Sequence, residues 1–142
     1  MSDRIEQLTH AYVAVPTHTG TALERQVEPF FRAWIASMPY FRQHPDHCGC
    51  HRIPDDPLER SVCWALVRGR DHADGRTILL VHHYDTADIE DYGLLRAQAY
   101  SPGELAQRMT ELAGSSPSPY SPDALADLAS GDWMFGRGGC DM

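Results

Sequence analysis

The feature that most constrains the fold is a run of four consecutive apolar residues at positions 78–81, followed directly by two histidines, a tyrosine and an aspartate. An uninterrupted apolar run of this length is typical of a strand covered on both faces, as in the middle of an α/β sheet. We therefore predict a buried strand over residues 77–83 that ends in polar, chemically active side chains.

A preceding strand is predicted over residues 61–68, where most residues are β-compatible. The connection between the two strands is short and contains an Asp-Gly pair, which favours antiparallel pairing. Residues 39–59 are rich in Pro, His and Asp and are predicted to form a loop.

Four helices are predicted from apolar periodicity and capping signals. In the second of them, Thr21 and Glu24 have capping-box spacing, a continuous apolar stripe follows, and Pro39 ends the helix. The predicted helices cover residues 3–13, 21–38, 101–114 and 122–128. Together with the strands they predict a three-layer α/β/α domain with a mixed sheet, helices on both faces and a site at the strand ends.

Composition excludes several classes of function. The net charge is -8, and no basic stripe is present, which argues against a nucleic-acid partner. No apolar stretch is long enough to span a bilayer, and the charged N-terminus lacks the apolar segment of a signal peptide, so we expect a cytoplasmic protein without a membrane partner. The four cysteines are then expected to be thiols or metal ligands and not disulfides.

The end of the predicted strand is the first candidate site. Side chains alternate along a strand, so His83 and Asp85 project to one side while His82 points away. A metal-bound imidazole normally donates its other N–H to a carboxylate, and a His-x-Asp segment can supply both groups. The spacing alone is weak evidence, because histidine is also a common surface residue.

A second candidate segment lies at residues 130–142, where aromatic residues precede a Gly-Arg-Gly turn and the carboxylate of Asp141. Glycines allow the backbone to approach a ligand closely, and an aspartate after such a turn can be directed at a metal. The alternative interpretation of this segment is a glycine loop with a surface aspartate.

Taken together, these two segments resemble the first two site motifs of the co-catalytic zinc peptidase family M-20, which includes aminoacylases, acetylornithine deacetylases, succinyl-diaminopimelate desuccinylases and carboxypeptidases. In that family a strand ending in His-x-Asp is followed some tens of residues later by Gly-Arg-Gly-x-x-Asp-Met-Lys. The segment containing Val15, Pro16, Gly20, Thr21 and Glu24 also resembles the opening of the family.

The resemblance implies a role for each matching residue. His83 would ligate one zinc ion, Asp85 would orient His83, and Asp141 would bridge two zinc ions about 3.5–4 Å apart. The complete enzyme would then hold two zinc ions, with cobalt or manganese as substitutes in vitro, and would cleave an amide or peptide bond of a small amino-acid or peptide substrate. A homodimer is a further expectation for the complete protein.

The resemblance covers essentially the whole chain but not the whole family pattern. The remaining zinc ligands, the Glu-Glu pair with the general base and the lid domain would follow Met142, and the chain stops within a Gly-rich turn. We therefore expect residues 1–142 to be the N-terminal portion of a truncated catalytic domain that is inactive alone. An inactive homologue or gene remnant is a third possibility, because the residues that would decide it fall outside this sequence.

Two local features bear on the substrate. His82 stands where the family usually has glycine, and the common Asp-Val-Val-Pro continuation is absent, which leaves the substrate class open. Residues 85–93 resemble the branch of the family associated with arginine utilisation.

An alternative reading places the metal elsewhere. Residues 44–51 contain His44, His47, Cys48, Cys50 and His51, which are suitable zinc ligands. A small non-catalytic module could hold a structural zinc there, although the Cys-x-Cys spacing lacks a second cysteine pair and does not match a zinc knuckle.

Overall fold

The computed structural model describes residues 2–69 and 75–138, apart from the side chain of Ser2. The chain divides into two compact units, Thr17–Asp85 and a second unit formed by Met1–Pro16 and Thr86–Met142. We refer to the first as the hairpin unit and to the second as the helical unit. No helix in the described ranges is both long and apolar enough to cross a membrane.

The hairpin unit is mixed α/β. Its elements, in chain order, are a 3-10 helix Ala22–Gln26, helix α2 Val27–Ser37, helix α3 Pro39–Gln43, a 3-10 turn Pro45–His47, strand β1 Cys48–Arg52 and strand β2 Ser61–Ala65.

The predicted second helix is present, but it begins with the 3-10 turn. Thr21 caps it as predicted, because its hydroxyl accepts a hydrogen bond from the Leu23 N–H at 3.2 Å. The carboxylate of Glu24 does not complete the capping box; it accepts instead from the N–H of Gly20 at 2.5 Å. Val27 and Ile35, from the predicted apolar stripe, are buried in the core of this unit.

The only sheet among the described residues is the antiparallel β1–β2 hairpin, in which Cys48 pairs with Ala65 and Arg52 with Ser61. The strand predicted over residues 61–68 is therefore present at Ser61–Ala65, but its partner is β1, within the predicted loop. Helix α2 packs against both strands. The prediction of a loop over residues 39–59 is therefore wrong where α3, the 3-10 turn and β1 form.

No strand forms over residues 77–83, and the apolar run is exposed: Ile78, Leu79, Leu80 and Val81 are 81–89% accessible. An apolar strand is buried only when strands flank it and layers cover both its faces, and the described residues supply only one hairpin. The predicted antiparallel pairing is consequently wrong here. The described architecture is mixed α/β, without the layers of the predicted α/β/α arrangement.

The helical unit contains helix α1 Ser2–Val13, a 3-10 segment Glu90–Gln98 that is kinked at Gly93, helix α4 Pro102–Ala113 and helix α5 Pro122–Ser130. The three α-helices were all predicted, because each carries local start and stop signals. Ser121 caps α5 by accepting from the Ala124 N–H at 3.2 Å, and Gly131 ends it in the left-handed conformation with φ of 72°. The capping box predicted for α4 is not formed, since Ser101 makes no side-chain cap.

The Gly-Arg-Gly segment packs closely against the helices of the helical unit. Val13, Ala99 and Leu105 are 0–2% exposed. A Cβ atom built on Gly136 would lie 2.6 Å from Cγ1 of Val13 and 3.4 Å from Cγ of Pro102. Only glycine therefore fits at position 136.

We expect Gly136→Ala to destabilise the chain by about 1–3 kcal/mol, because the added methyl group overpacks this core. The measurement is the free energy of unfolding in urea. Gly103→Ala is the matched control, because a Cβ on Gly103 has no atom within 4 Å. That control should be neutral or stabilising by about 0.5 kcal/mol. Equal stability of the two variants would contradict the close packing at Gly136.

A second prediction concerns an ion pair in the hairpin unit. Asp56 accepts from Arg60 at 2.8 and 2.9 Å, and also from the Arg60 backbone N–H at 2.7 Å. These hydrogen bonds lower the pKa of Asp56 from 3.8 to about 2. Because the folded pKa is below the unfolded one, the stabilisation is complete above about pH 4 and is lost as the pH falls toward 2.

Asp56→Asn should therefore lower stability at pH 7 and remove part of the decrease between pH 4 and pH 2, measured by urea unfolding across that range. Asp55→Asn is the control: Asp55 has a positive φ of 55°, which asparagine tolerates. Its pH profile should follow that of the unsubstituted chain. A parallel loss of stability in both variants would show that the Asp56–Arg60 pair is not the source.

Candidate metal-binding site

The segment that carries the predicted His-x-Asp motif is irregular in structure and lies at the end of the hairpin unit. Nδ1 of His83 lies 3.1 Å from the backbone oxygen of Asp85 and 3.4 Å from its Oδ1. The two residues are thus in contact, and this contact does not depend on strand geometry. One imidazole nitrogen faces two oxygen atoms of the same residue.

This contact determines the tautomer of the imidazole. A carbonyl oxygen can only accept a hydrogen bond, so Nδ1 of His83 must donate and carry the proton. In neutral His83 the lone pair is therefore on Nε2, which has no hydrogen-bond partner in the described part of the chain. The side chain is 59% exposed, so the donor atom is accessible. This arrangement suits a histidine that binds a metal through Nε2.

The carboxylate that faces His83 is itself held in place. Oδ2 of Asp85 accepts a hydrogen bond from the Thr19 hydroxyl at 2.9 Å. This hydrogen bond is the main cause that lowers the pKa of Asp85, with smaller contributions from its own backbone N–H and from His83. Asp85 is consequently ionised at neutral pH and can act as an acceptor for the imidazole N–H.

Tyr84 attaches the same segment to the hairpin. Its hydroxyl donates to the backbone oxygen of Ser61, the first residue of β2, over 3.5 Å. The Ser61 hydroxyl in turn donates to Glu28 of α2 at 2.6 Å, which lowers the pKa of that carboxyl. Partial burial, followed by the nearby charge of Glu24, raises the pKa of Tyr84.

A buried carboxylate supports the turn that presents Thr19. Glu24 is 3% exposed; its Oε1 accepts from the N–H of Gly20, and its Oε2 lies 3.4 Å from Nη1 of Arg60. Gly20 has φ of 74°, a conformation that glycine adopts without strain. Thr19 and Arg60 were not predicted as site residues. The motif-like segment from Val15 to Glu24 was the available signal, but it did not indicate which hydroxyl would reach Asp85.

The second predicted segment is described only in part. The N–H of Arg137 donates to the backbone oxygen of Ala99 at 2.8 Å, and its guanidinium lies 4.9 Å from the centre of the Tyr92 ring. Two guanidinium nitrogens, Nε and Nη2, are buried and have no acceptor within the described ranges. Asp141 lies outside the described residues, so its role as a bridging ligand stays a prediction.

The alternative metal cluster at residues 44–51 is dispersed by its local contacts. His44 and His47 stack on each other at 4.9 Å, and Nδ1 of His47 lies 2.9 Å from the Tyr40 hydroxyl. His51 stacks on Trp64 at 6.1 Å. Across residues 2–69 and 75–138, no three His, Cys, Asp or Glu side chains converge as a metal site would require. The geometry gives no support to a structural zinc in this loop.

Comparison with known proteins gives two relatives from Bacillus subtilis (strain 168). The chain is 34% identical over 142 residues to Protein RocB. The matched region covers 99% of this chain and 24% of Protein RocB. The chain is also 34% identical over 140 residues to Uncharacterized protein YqjN, with the same shares of the two chains. This chain therefore spans about a quarter of the length of these curated relatives. No family model matches the sequence, and no solved structure matches it.

Removal of the Thr19 hydroxyl provides a test of the site geometry. Thr19→Val should raise the pKa of Asp85 toward 3.8, because the main interaction that favours the carboxylate is lost. The pKa is read from the pH titration of the carboxyl carbon by NMR. Thr110→Val is the control, since the Thr110 hydroxyl donates to the Ala106 carbonyl within α4. An unchanged Asp85 titration in Thr19→Val would contradict the hydrogen bond.

Proposed function

We propose that the chain is the N-terminal part of the catalytic domain of a co-catalytic zinc hydrolase, which cleaves an amide or peptide bond of an amino-acid derivative or small peptide. The observation that carries this proposal is the contact of His83 Nδ1 with the carbonyl and carboxylate oxygens of Asp85. With the proton on Nδ1, Nε2 is the ring nitrogen available to a metal, on a side chain that is accessible.

The donor set fits zinc, which binds imidazole nitrogen and carboxylate oxygen readily. His83 supplies one ligand in the hairpin unit, and Asp141 is proposed as the shared ligand of the two ions. A catalytic zinc ion needs about three protein ligands, so further ligands would have to come from additional sequence. This requirement supports the view that residues 1–142 are inactive alone.

Bound zinc would polarise the carbonyl of the scissile amide and lower the pKa of a bound water molecule toward neutrality. The residues of this chain have supporting tasks. His83 would hold the metal through Nε2, Asp85 keeps the proton on Nδ1, and Thr19 holds Asp85 in position. Because Asp85 is held ionised, it remains an acceptor for the Nδ1–H and fixes the orientation of the His83 ring.

The exposed apolar run supports a larger sheet. Four consecutive side chains at 81–89% accessibility are unusual in a finished domain, since burial of such residues stabilises by about 1.5–3 kcal/mol each. We propose that residues 78–81 form a strand in the three-layer α/β/α sheet of the longer protein. His83 and Asp85 would then lie at the carboxyl end of that strand, where ligands bind in α/β folds.

The biological role that we propose is arginine utilisation. Residues 85–93 resemble the arginine-utilisation branch of the zinc peptidase family, and the 34% identity with Protein RocB supports the same assignment. The complete protein is proposed to act in the cytoplasm, as a homodimer, on a small amino-acid or peptide substrate and without nucleic acid or membrane.

The proposal is tested on the full-length protein that contains this sequence, after removal of metal by a chelator and reloading with zinc. We expect two zinc ions per chain and hydrolysis of N-acyl amino acids or dipeptides. His83→Ala and Asp141→Ala should each lose zinc and activity. Asp85→Asn should weaken zinc binding by about 10–100-fold, because the support of the ligand is removed.

His82→Ala is the matched control, since this neighbouring histidine does not contact Asp85 among the described residues. It should retain both zinc ions and activity. Residues 1–142 alone, the short chain, should bind zinc weakly and hydrolyse neither substrate. If the short chain alone held one zinc ion that survived His83→Ala and Asp141→Ala but not Cys48→Ser, the loop at residues 44–51 would be the metal site and the proposal would be wrong.

A further inference from the structure

Two cysteines face each other across the hairpin, outside the candidate metal site. Cys50 of β1 is the direct register partner of Cys63 of β2. Their Sγ atoms are 2.8 Å apart, and both residues are half-buried free thiols. The third cysteine of the hairpin, Cys48, pairs with Ala65 and has no thiol opposite to it.

The backbone already meets the requirements of a disulfide at this position. Directly opposed residues in an antiparallel pair have Cα atoms about 4.5–5.5 Å apart, which lies within the range of about 4.4–6.8 Å found for disulfides. Bond formation would therefore need only a small movement of the two sulfur atoms. The strands would not have to shift in register.

The two thiols differ in their surroundings. Burial, with the hydrogen bond from Cys50 second, raises the pKa of Cys63 to about 12. A raised pKa disfavours the thiolate, which is the nucleophile in thiol–disulfide exchange. We therefore assign Cys50 as the attacking group and Cys63 as the resolving thiol.

We propose that Cys50 and Cys63 are a redox modification site that forms a reversible intramolecular disulfide with a small-molecule disulfide, such as oxidised glutathione, as the oxidant. The Cys50 thiolate attacks one sulfur of the oxidant, breaks its S–S bond and releases one thiolate. Cys63 then gives its proton to that thiolate or to water, and its sulfur attacks Sγ of Cys50. The Cys50–Cys63 bond forms, and the second small thiol leaves. The protein dithiol loses two electrons, and the oxidant is reduced to two thiols.

Oxidation would lock the hairpin. The bond would close the loop over residues 50–63, which contains the Asp56–Arg60 ion pair and Ser61, the residue that accepts from Tyr84. Closing a loop of this length reduces the conformational freedom of the unfolded chain. We expect the melting temperature of the oxidised chain to rise by roughly 10 °C.

The test uses the chain with Cys48→Ser and Cys140→Ser, so that Cys50 and Cys63 are the remaining thiols. It is treated with oxidised glutathione, blocked with N-ethylmaleimide and digested with trypsin. The chain has no lysine, so cleavage occurs after arginine and separates residues 43–52 from residues 61–68. The expected product is these two peptides linked, at the sum of their masses less two hydrogens, and separated again by dithiothreitol.

Single variants distinguish the intramolecular disulfide from other products. Adding Cys63→Ser to the same chain should trap Cys50 as a mixed disulfide with glutathione and abolish the rise in melting temperature. The chain with all four cysteines should give the same linked peptides. Free thiols after treatment, glutathione on both cysteines without a link, or a Cys48–Cys50 bond in the four-cysteine chain would each overturn the proposal.

Discussion

The contacts of the hairpin unit depend on one buried carboxylate, that of Glu24. A charge that is removed from water has to be paired and hydrogen-bonded, because an unpaired buried carboxylate would be strongly destabilising. Glu24 satisfies this requirement with the N–H of Gly20 and the guanidinium of Arg60. The turn before the second helix and the residue preceding β2 are thereby held by the same carboxylate, although Gly20 and Arg60 are 40 positions apart in the sequence.

The contacts of Glu24 also affect the candidate site, because Gly20 is next to Thr19 in the sequence. Fixing Gly20 fixes its neighbour Thr19, whose hydroxyl holds Asp85. Asp85 then sets the tautomer of His83. Arg60 is engaged by Asp56 in two side-chain hydrogen bonds, so it is not free to reorient away from Glu24. The position of a single imidazole nitrogen is thus linked to an ion pair between the buried Glu24 and the partly exposed Arg60. Such support is consistent with fixed donor geometry at metal sites.

Sequence reasoning succeeded where the signal is local. Helices α1, α4 and α5 carry their apolar periodicity within about a dozen residues. The contact of His83 with Asp85 is also local, whereas their roles at a metal site stay predictions. The prediction of a buried strand failed at residues 78–81, because neighbouring strands and covering layers decide whether a strand is buried. The local sequence pattern does not reveal those elements. Sequence reasoning also missed β1, whose sequence Cys-Gly-Cys-His-Arg has neither alternation nor strong β-propensity. The contact of Thr19 with Asp85 spans 66 positions and was equally invisible.

Existing contacts distinguish the two segments that were predicted as metal sites, residues 44–51 and the segment around His83. Cys50 is already paired with Cys63, His47 with Tyr40, and His51 with Trp64. A metal would have to break these contacts and gather side chains that point to different neighbours. His83 needs no such rearrangement, because its contact with Asp85 leaves Nε2 with its lone pair. Whether a segment can bind a metal therefore depends on which donor atoms its existing contacts leave accessible. The number of histidines and cysteines in the segment does not decide it.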